Sequence, residues 1–449
     1  MLDLLPPAIR EETRVLAGLA VPVAATQIGM MLMGVVDMMM IGPLGAEALA
    51  AASVGNALYL VVAIFALGVV MALDALIAQA HGAQQYDRAG DLLWQGMWLA
   101  GLLGCAVTAF FLTGRWMFDA LGQMPVVAGL AADYVGPRAL GAIAFLGFAA
   151  CRGFLNGYGH MRPVMVIAVI ANVVNVAADW ALIYGHFGAP ELGIAGAGYA
   201  TAIVRWFMLG AVIVAVASPT YRDVTLRFRG PNADDLKRVL DIGAPIGGHQ
   251  AAEMAVFSAA AVMAGWLGAV PQAAHHIAMT LAALAYHVPV GVSIATSVRV
   301  GQAIGQGRPD DAALAGRVGL GLGAVFMVLG AAVFIAIPGP LTDAFSPTPD
   351  VRALAIELLF VAAVFQVSDG IQVVAGGALR GAGDTRSSFW ANVLAHWLVG
   401  LPLGAALAFW AGMGVHGLWW GLTASLTVAA GLLAWLFIRG SWRSIGKLV

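Results

Sequence analysis

The stretch GFLNGYGHMR, residues 153–162, returns later in the chain as GALRGAGDTR, residues 377–386. Gly153, Leu155, Gly157, Gly159 and Arg162 recur as Gly377, Leu379, Gly381, Gly383 and Arg386, a constant shift of 224. A second pair agrees within one residue: Gln79-Ala-His-Gly82 against Gln302-Ala-Ile-Gly305, a shift of 223. Shifts close to half of 449 residues mark a tandem duplication, and internal symmetry in an apolar chain points to a transporter.

The rest of the composition agrees. Hydrophobic residues make up 61% of the chain and Asp, Glu, Lys and Arg only 10%, with a mean hydropathy of +0.88. A soluble domain carries about 25% charged residues, so the chain reads as an integral membrane protein. The formal charge of −2 argues against nucleic acid as a partner. Cys105 and Cys151 sit in or beside apolar runs, cannot form a disulfide framework and read as packing residues. The N-terminus, MLDLLPPAIREETRVL, lacks the basic start and small-residue cleavage site of a signal peptide.

Apolar runs of spanning length lie near 15–41, 50–78, 92–113, 126–150, 163–184 and 193–217, then near 239–268, 272–297, 313–337, 352–376, 387–411 and 414–438. The expected fold is an all-α polytopic membrane protein. It has about twelve transmembrane helices in two pseudo-symmetric six-helix lobes, 1–217 and 239–449, joined by a linker loop, 218–238. An even number of spans per lobe makes the lobes parallel, with the working cavity between them. About 18 of the 22 basic residues fall on one side, Arg115, Arg138, Arg205 and Arg352 being the exceptions. By the positive-inside rule both termini and both glycine-rich turns are then cytoplasmic.

An ionisable side chain at the bilayer centre costs about 2.5–3.5 kcal/mol on insertion scales, so each one needs a reason. In the first lobe these are Asp37 and Asp179. Asn172, Asn175 and Asp179 share one helical face, and Tyr134 and Thr201 on other spans could reach the same pocket. Pro22 removes a backbone hydrogen bond and offers a bend in the first span. The plainer reading of the asparagines is a polar stripe joining helices. In the second lobe Glu253 and Asp369 occupy the first and fourth spans. His249 and Gln250 lie one turn before Glu253, and Gln366 lies one turn before Asp369. Asp74 reads as an interfacial residue. Arg205 needs a counter-charge, which Asp133 or Asp179 could supply. With carboxylates and almost no Lys or Arg in the spans, the cavity is expected to be acidic. His275 and His276 lack further metal ligands at suitable spacing and read as structural.

These residues carry a family likeness. VVDMMMIGPLGAEALAAASVGNALY from Val35, AAHHIAMTLAALAYHVPVGVSIATSVRVGQAIGQG from Ala273 and the GALRGAGDTR turn resemble the multidrug and toxic compound extrusion (MATE) family, NorM-like branch. The resemblance implies a cation-coupled antiporter in the inner (cytoplasmic) membrane of a bacterium, multi-pass and monomeric. Its substrates would be bulky, often cationic, amphipathic drugs. It implies no cofactor, with H⁺ or Na⁺ as coupling ion. Asp37 would be the central carboxylate of the first-lobe pocket, and Glu253 and Asp369 would serve cation coupling or drug contact, as the place for Na⁺ if sodium is used. Sodium-coupled relatives tend to carry a tyrosine where this chain has Phe365, which tilts the reading toward protons.

Two other classes compete. Gly381-Ala-Gly-Asp384 matches the GxGD pattern of intramembrane aspartyl proteases, but its repeat partner is Gly157-Tyr-Gly-His160. No HExxH, GxSxG or Walker lysine motif is present, so an enzyme or an ATP-driven pump is not expected. The nearer alternative is a flippase of lipid-linked sugar or lipid, which usually needs basic residues lining its cavity for pyrophosphate.

Overall fold

The computed structural model describes residues 6–114, 116–221, 227–345 and 348–448. Arg115, Arg222 and positions 222–226 of the expected linker lie outside the described residues. Every regular element among the described residues is helical. The first half runs α1 Pro7–Ile41, α2 Ala46–Val70, α3 Ala72–Gly82, α4 Tyr86–Leu112, α5 Trp116–Ala120, α6 Pro125–Ala139, α7 Ala142–Gly157, α8 Arg162–Tyr184 and α9 Ile194–Val216. The second runs α10 Ala233–Trp266, α11 Ala269–Gly305, α12 Pro309–Ala336, α13 Pro338–Asp343 and α14 Pro349–Gly381. It ends with α15 Thr385–Val393, which continues through wider π turns and α16 Leu401–Ala405 to Trp410, and with α17 Val415–Arg439.

Ten helical stretches among the described residues are long and apolar enough to cross a bilayer, and the pair α6–α7, bent by 45°, makes an eleventh. The twelfth is α10, 34 residues long, whose apolar run is interrupted by His249, Gln250 and Glu253. The bend between α6 and α7 follows Pro137 in the last turn of α6. Side chains take up the carbonyls freed there: Thr108 Oγ1 donates to Ala139 O at 2.7 Å and Trp206 Nε1 to Leu140 O at 3.1 Å.

The chain divides into two compact units. One comprises Met1–Ala24, Gly82–Gln84 and Gly248–Val449; the other comprises Ala25–His81 and Gln85–Gly247. This partition differs from the repeat-based division, because α1 and α10 each change unit partway along. The crossing points fall two residues after Pro22 and two residues after Pro245, positions related by the repeat shift of 223.

In the first unit the start of α1 packs into the second half of the sequence, Leu16 and Ala20 joining Val292, Ala295, Val318 and Val374. In the second unit the start of α10 packs on α2. A Cβ on Gly68 would lie 2.4 Å from Gly247 Cα, and one on Gly243 would lie 2.3 Å from Val69 O. The linker is docked in that unit: Gln95 Nε2 donates to Gly230 O at 3.0 Å, Trp98 Nε1 to Arg229 O at 2.9 Å, and Phe228 sits edge-on to Trp94.

The recurring glycines have two physical uses. Gly159 and Gly383 take φ of +77° and +87°, a region that side chains disfavour, and so end α7 and α14. Gly157 and Gly381 let helices touch, since a Cβ there would meet Ala78 N at 2.9 Å and Ser297 O at 2.2 Å. Asp384, the acid of the GxGD pattern, accepts a hydrogen bond from Ser387 N at 3.2 Å and caps α15.

Candidate functional sites

In the second unit α1, α8 and α9 bring Asp37, Asn175, Asp179 and Thr201 together. Asn175 Nδ2 donates to Asp37 Oδ1 at 2.9 Å and to Asp179 Oδ2 at 3.1 Å, so one amide bridges both carboxyl groups. Thr201 Oγ1 donates to Asp37 Oδ2 at 3.3 Å. Asp37 is 2% exposed and Asp179 fully buried. The second carboxyl oxygen of Asp179 and the carbonyl oxygen of Asn175 have no hydrogen-bond partner among the described residues. Two acids at one amide, with an orphaned oxygen, can share a proton or hold a cation.

Asn172 does not join them. Its Nδ2 donates to Gly29 O at 3.0 Å on α1 and to Ala168 O at 2.9 Å, the helix-joining role of a polar stripe. Tyr134 is buried, and its hydroxyl accepts from Arg138. Pro22 lies inside an unbroken α1, in the other unit.

The sequence reading missed half of this site. Arg205 is paired with neither Asp133 nor Asp179: its Nη1 donates to the Tyr59 hydroxyl at 2.5 Å, and its guanidinium lies over the rings of Tyr59 and Phe145 at 4.8 and 4.9 Å. A phenol and two ring faces hold the charge where an acid was expected. Arg138 lies over Tyr59 and Tyr134 at 5.0 and 5.3 Å. Asp37, Thr201 and both arginines line a cavity of about 200 Å³, whose apolar wall includes Met30, Met33, Phe145, Phe148 and Met208. The pocket is therefore not simply acidic. Arg138 and Arg205 were visible in the sequence as exceptions to the charge bias, and Pro137 marks the bend, but neither shows that Arg138 meets Tyr59.

The first unit holds the second acidic site. Glu253 on α10 accepts from Gln372 Nε2 on α14 at 3.3 Å, and His249 Nε2 and His396 Nε2 approach its carboxylate at 3.4 and 4.0 Å. Gln372 also donates to Asn392 Oδ1 at 2.9 Å, and the His396 ring is hydrogen-bonded to Ser425. His396 lies in the wider π turn of Leu394–Gly400, a local geometry frequent at functional sites. Asp369 is 8% exposed, makes no hydrogen bond to a described residue and lies within electrostatic range of Glu253. Gln366 is buried with both amide atoms unpartnered among the described residues, and Gln250 is half-buried one turn before Glu253. Among the described residues no group of three or more His, Cys, Asp or Glu side chains is arranged to hold a metal ion.

Other residues find plain roles. Phe365 stacks on Trp419 at 5.5 Å, and Trp419 Nε1 donates to His275 Nδ1 at 3.1 Å. Asp74 is buried and accepts from Asn156 Nδ2 at 3.2 Å.

The sequence pattern of the MatE family matches residues 22–181 and 245–406. The chain is 37% identical over 428 residues to a probable multidrug resistance protein NorM of Pseudomonas aeruginosa, covering 93% of this chain and 88% of that one. It is 36% identical over 444 residues to the protein of the same name from Pseudomonas putida, covering 97% and 96%. Among solved structures it superposes on the eukaryotic MATE transporter AtDTX14 with a TM-score of 0.87 at 21% identity, covering 97% and 98% of the two chains. On a MATE transporter in complex with MaD3S the TM-score is 0.88 at 20% identity, covering 97% of each. These two likenesses are of fold.

Proposed function

This chain belongs to the MatE family, and on that premise we propose that it is a multidrug efflux transporter of the inner membrane, not an enzyme, that exports amphipathic compounds against an inward flow of cations. The observation that carries the reading is the pair of carboxyl groups, Asp37 and Asp179, held by one Asn175 amide inside apolar helices. Buried acids of this kind are expensive in lipid and are retained where an ion moves.

In this reading a proton entering the Asp37–Asp179 pair removes the negative charge that favours a bound cationic drug, and loss of the proton on the other side restores it. Glu253 and Asp369 form a second cation-responsive site. Phe365 is packed against Trp419 and offers no hydroxyl one turn before Asp369, but the Tyr286 phenol lies within electrostatic range of Asp369 and Glu253, so the site suits either H⁺ or Na⁺. One charge moving down the membrane potential supplies about 2.3 kcal/mol per 100 mV, enough for a useful drug gradient. The cavity's two guanidiniums also keep the lipid-linked flippase in view as a second reading.

Asp37→Asn in proteoliposomes tests the assignment. The amide keeps shape and polarity but cannot take up and release a proton. Export driven by a pH gradient should fall at least about tenfold while drug binding persists in part. Wild-type flux in this variant would end the proton-coupling role of Asp37.

A further inference from the structure

Helices α15 and α17 of the first unit carry the same pair of side chains at the same end. Arg386 lies in the first turn of α15 with Trp390 one turn deeper, and on α17 Trp435 lies one turn inside Arg439. The helices share a buried cluster through Ala391, Leu433 and Phe437, just inside both arginines. The chain then returns to the start of α15, where a Cβ on Gly383 would lie 2.8 Å from Leu448 Cδ2 and so brings Lys447 to the same end. Arg386, Arg439 and Lys447 are exposed, and none of them forms an ion pair among the described residues. The acids nearby are already engaged: Asp310 with Arg443 at 2.9 Å, Asp311 with Arg308 at 3.1 Å, and Asp384 with Ser387 N. Below the cations the surface turns apolar. Trp390 is 65% and Trp435 52% exposed, Arg439 lies over the Trp435 ring at 4.9 Å, and Leu394 and Leu398 continue outward from α15.

We infer that this face binds an anionic phospholipid, its phosphate between Arg386 and Arg439 with Lys447 beside them and an acyl chain along Trp390, Leu394 and Leu398. Packed helices stand about 8–10 Å apart, a gap that two extended arginine side chains can close on one phosphate. Guanidinium forks match phosphate oxygens, and indoles settle at headgroup level. A free phosphate would use the cations alone, whereas a lipid uses the apolar surface beneath them as well. The charge bias of the chain assigns this end to the cytoplasm, and the attraction of basic residues to an anionic leaflet acts there. The inference goes beyond the efflux reading and does not rest on it.

Native mass spectrometry of the full-length protein tests it, with phosphatidylglycerol and phosphatidylcholine of identical acyl chains as probes. Phosphatidylglycerol should bind wild type about 25-fold tighter, at roughly fivefold for each of two basic residues. Arg386→Gln and Arg439→Gln should each cut that preference about fivefold, while Lys237→Gln and Arg238→Gln, exposed basic positions in the other unit, should leave it unchanged. A second measurement leaves the arginines alone. In proteoliposomes, acyl-brominated phosphatidylglycerol should quench the protein's tryptophan emission more than brominated phosphatidylcholine does, and Trp390→Phe with Trp435→Phe should abolish the excess. If a glutamine variant does not fold, this quenching decides. A wild-type preference near one, an equal loss in Lys237→Gln, or an excess of quenching that survives without the two tryptophans would each overturn the inference. So would inorganic phosphate displacing the lipid near the lipid's own dissociation constant, which would give the site to a free phosphate.

Discussion

At the scale of single residues, the two acidic sites solve the same problem differently. Asp37 and Asp179 share one donor, Asn175, on the helix that carries Asp179. Glu253 is surrounded by groups from three other turns of helix: His249, Gln372 and His396. Gln372 is itself fixed by Asn392, so the Glu253 carboxylate is held in one place while Asp369 stands without a hydrogen bond. If the two acids serve one coupling step, their removal should not be additive. Glu253→Gln and Asp369→Asn should each reduce pH-driven export about tenfold or more, and the double variant should be no worse than the poorer single. Multiplying losses, measured as initial rates in proteoliposomes, would assign them to separate steps. The acids were legible in the sequence because a carboxylate in an apolar run stands out. Gln372, His396 and Tyr59 were not, because a lone polar or aromatic residue on a helix shows no sign of the partner it meets across the fold. Asp384 shows the converse: its GxGD context suggested chemistry, and it caps a helix. Asp384→Ala should therefore lower stability by about 1 kcal/mol in a thermal melt and leave the pH dependence of export unchanged.

At the scale of helices, the duplication is visible as a pair of equivalent crossings. Gly68 on α2 meets Gly247 on α10, and Gly291 on α11 meets Ala20 and Ala24 on α1, where its Cβ would lie 2.7 Å from Ala20 O and 2.9 Å from Ala24 Cβ. The shift of 223 relates Gly68 to Gly291, Ala20 to Gly243 and Ala24 to Gly247. The same shift relates Glu12 to Asp235, and each acid holds an arginine from the other half of the sequence. Arg299 grips Glu12 through bonds of 2.9 and 2.8 Å, and Arg88 grips Asp235 at 2.8 and 2.5 Å. Small residues allow close approach of backbones, and a two-pronged ion pair fixes the helix start. Gly68→Ala and Gly291→Ala should each destabilise by about 1–3 kcal/mol through overpacking, whereas Gly18→Ala, where a Cβ meets nothing within 4 Å, should not. Thermal unfolding of the solubilised variants reads the difference, and equal melts for all three would refute the tight crossings. The repeat itself could be read from the sequence, but the exchange of helix starts between halves could not, since both arrangements bury the same apolar faces.

At the scale of the whole molecule, the duplication preserved the turns and crossings while the sites diverged. Shifting Glu253 back by 223 gives Met30, and shifting Asp369 back by 224 gives Phe145, both of which wall the first-half cavity. The glycine-rich turns kept their sequence because left-handed backbone and helix contact tolerate little else, and they set the topology. Arg162 and Arg386 sit at equivalent places after those turns, 224 residues apart, and both are exposed. An even number of spans between them requires the two positions to face the same side. Phe187, 80% exposed, follows the other end of α8, which at 23 residues and about 1.5 Å each is long enough to cross the bilayer. With Cys105 and Cys151 first replaced by alanine, single cysteines at Arg162, Arg386 and Phe187 can be probed in intact cells with a membrane-impermeant maleimide. The charge bias places both arginines inside, so Phe187→Cys should label at once, and Arg162→Cys and Arg386→Cys only after permeabilisation. Labelling of one arginine position and not the other would break the parallel arrangement of the halves. Labelling of both without Phe187 would keep that arrangement and reverse its orientation in the membrane.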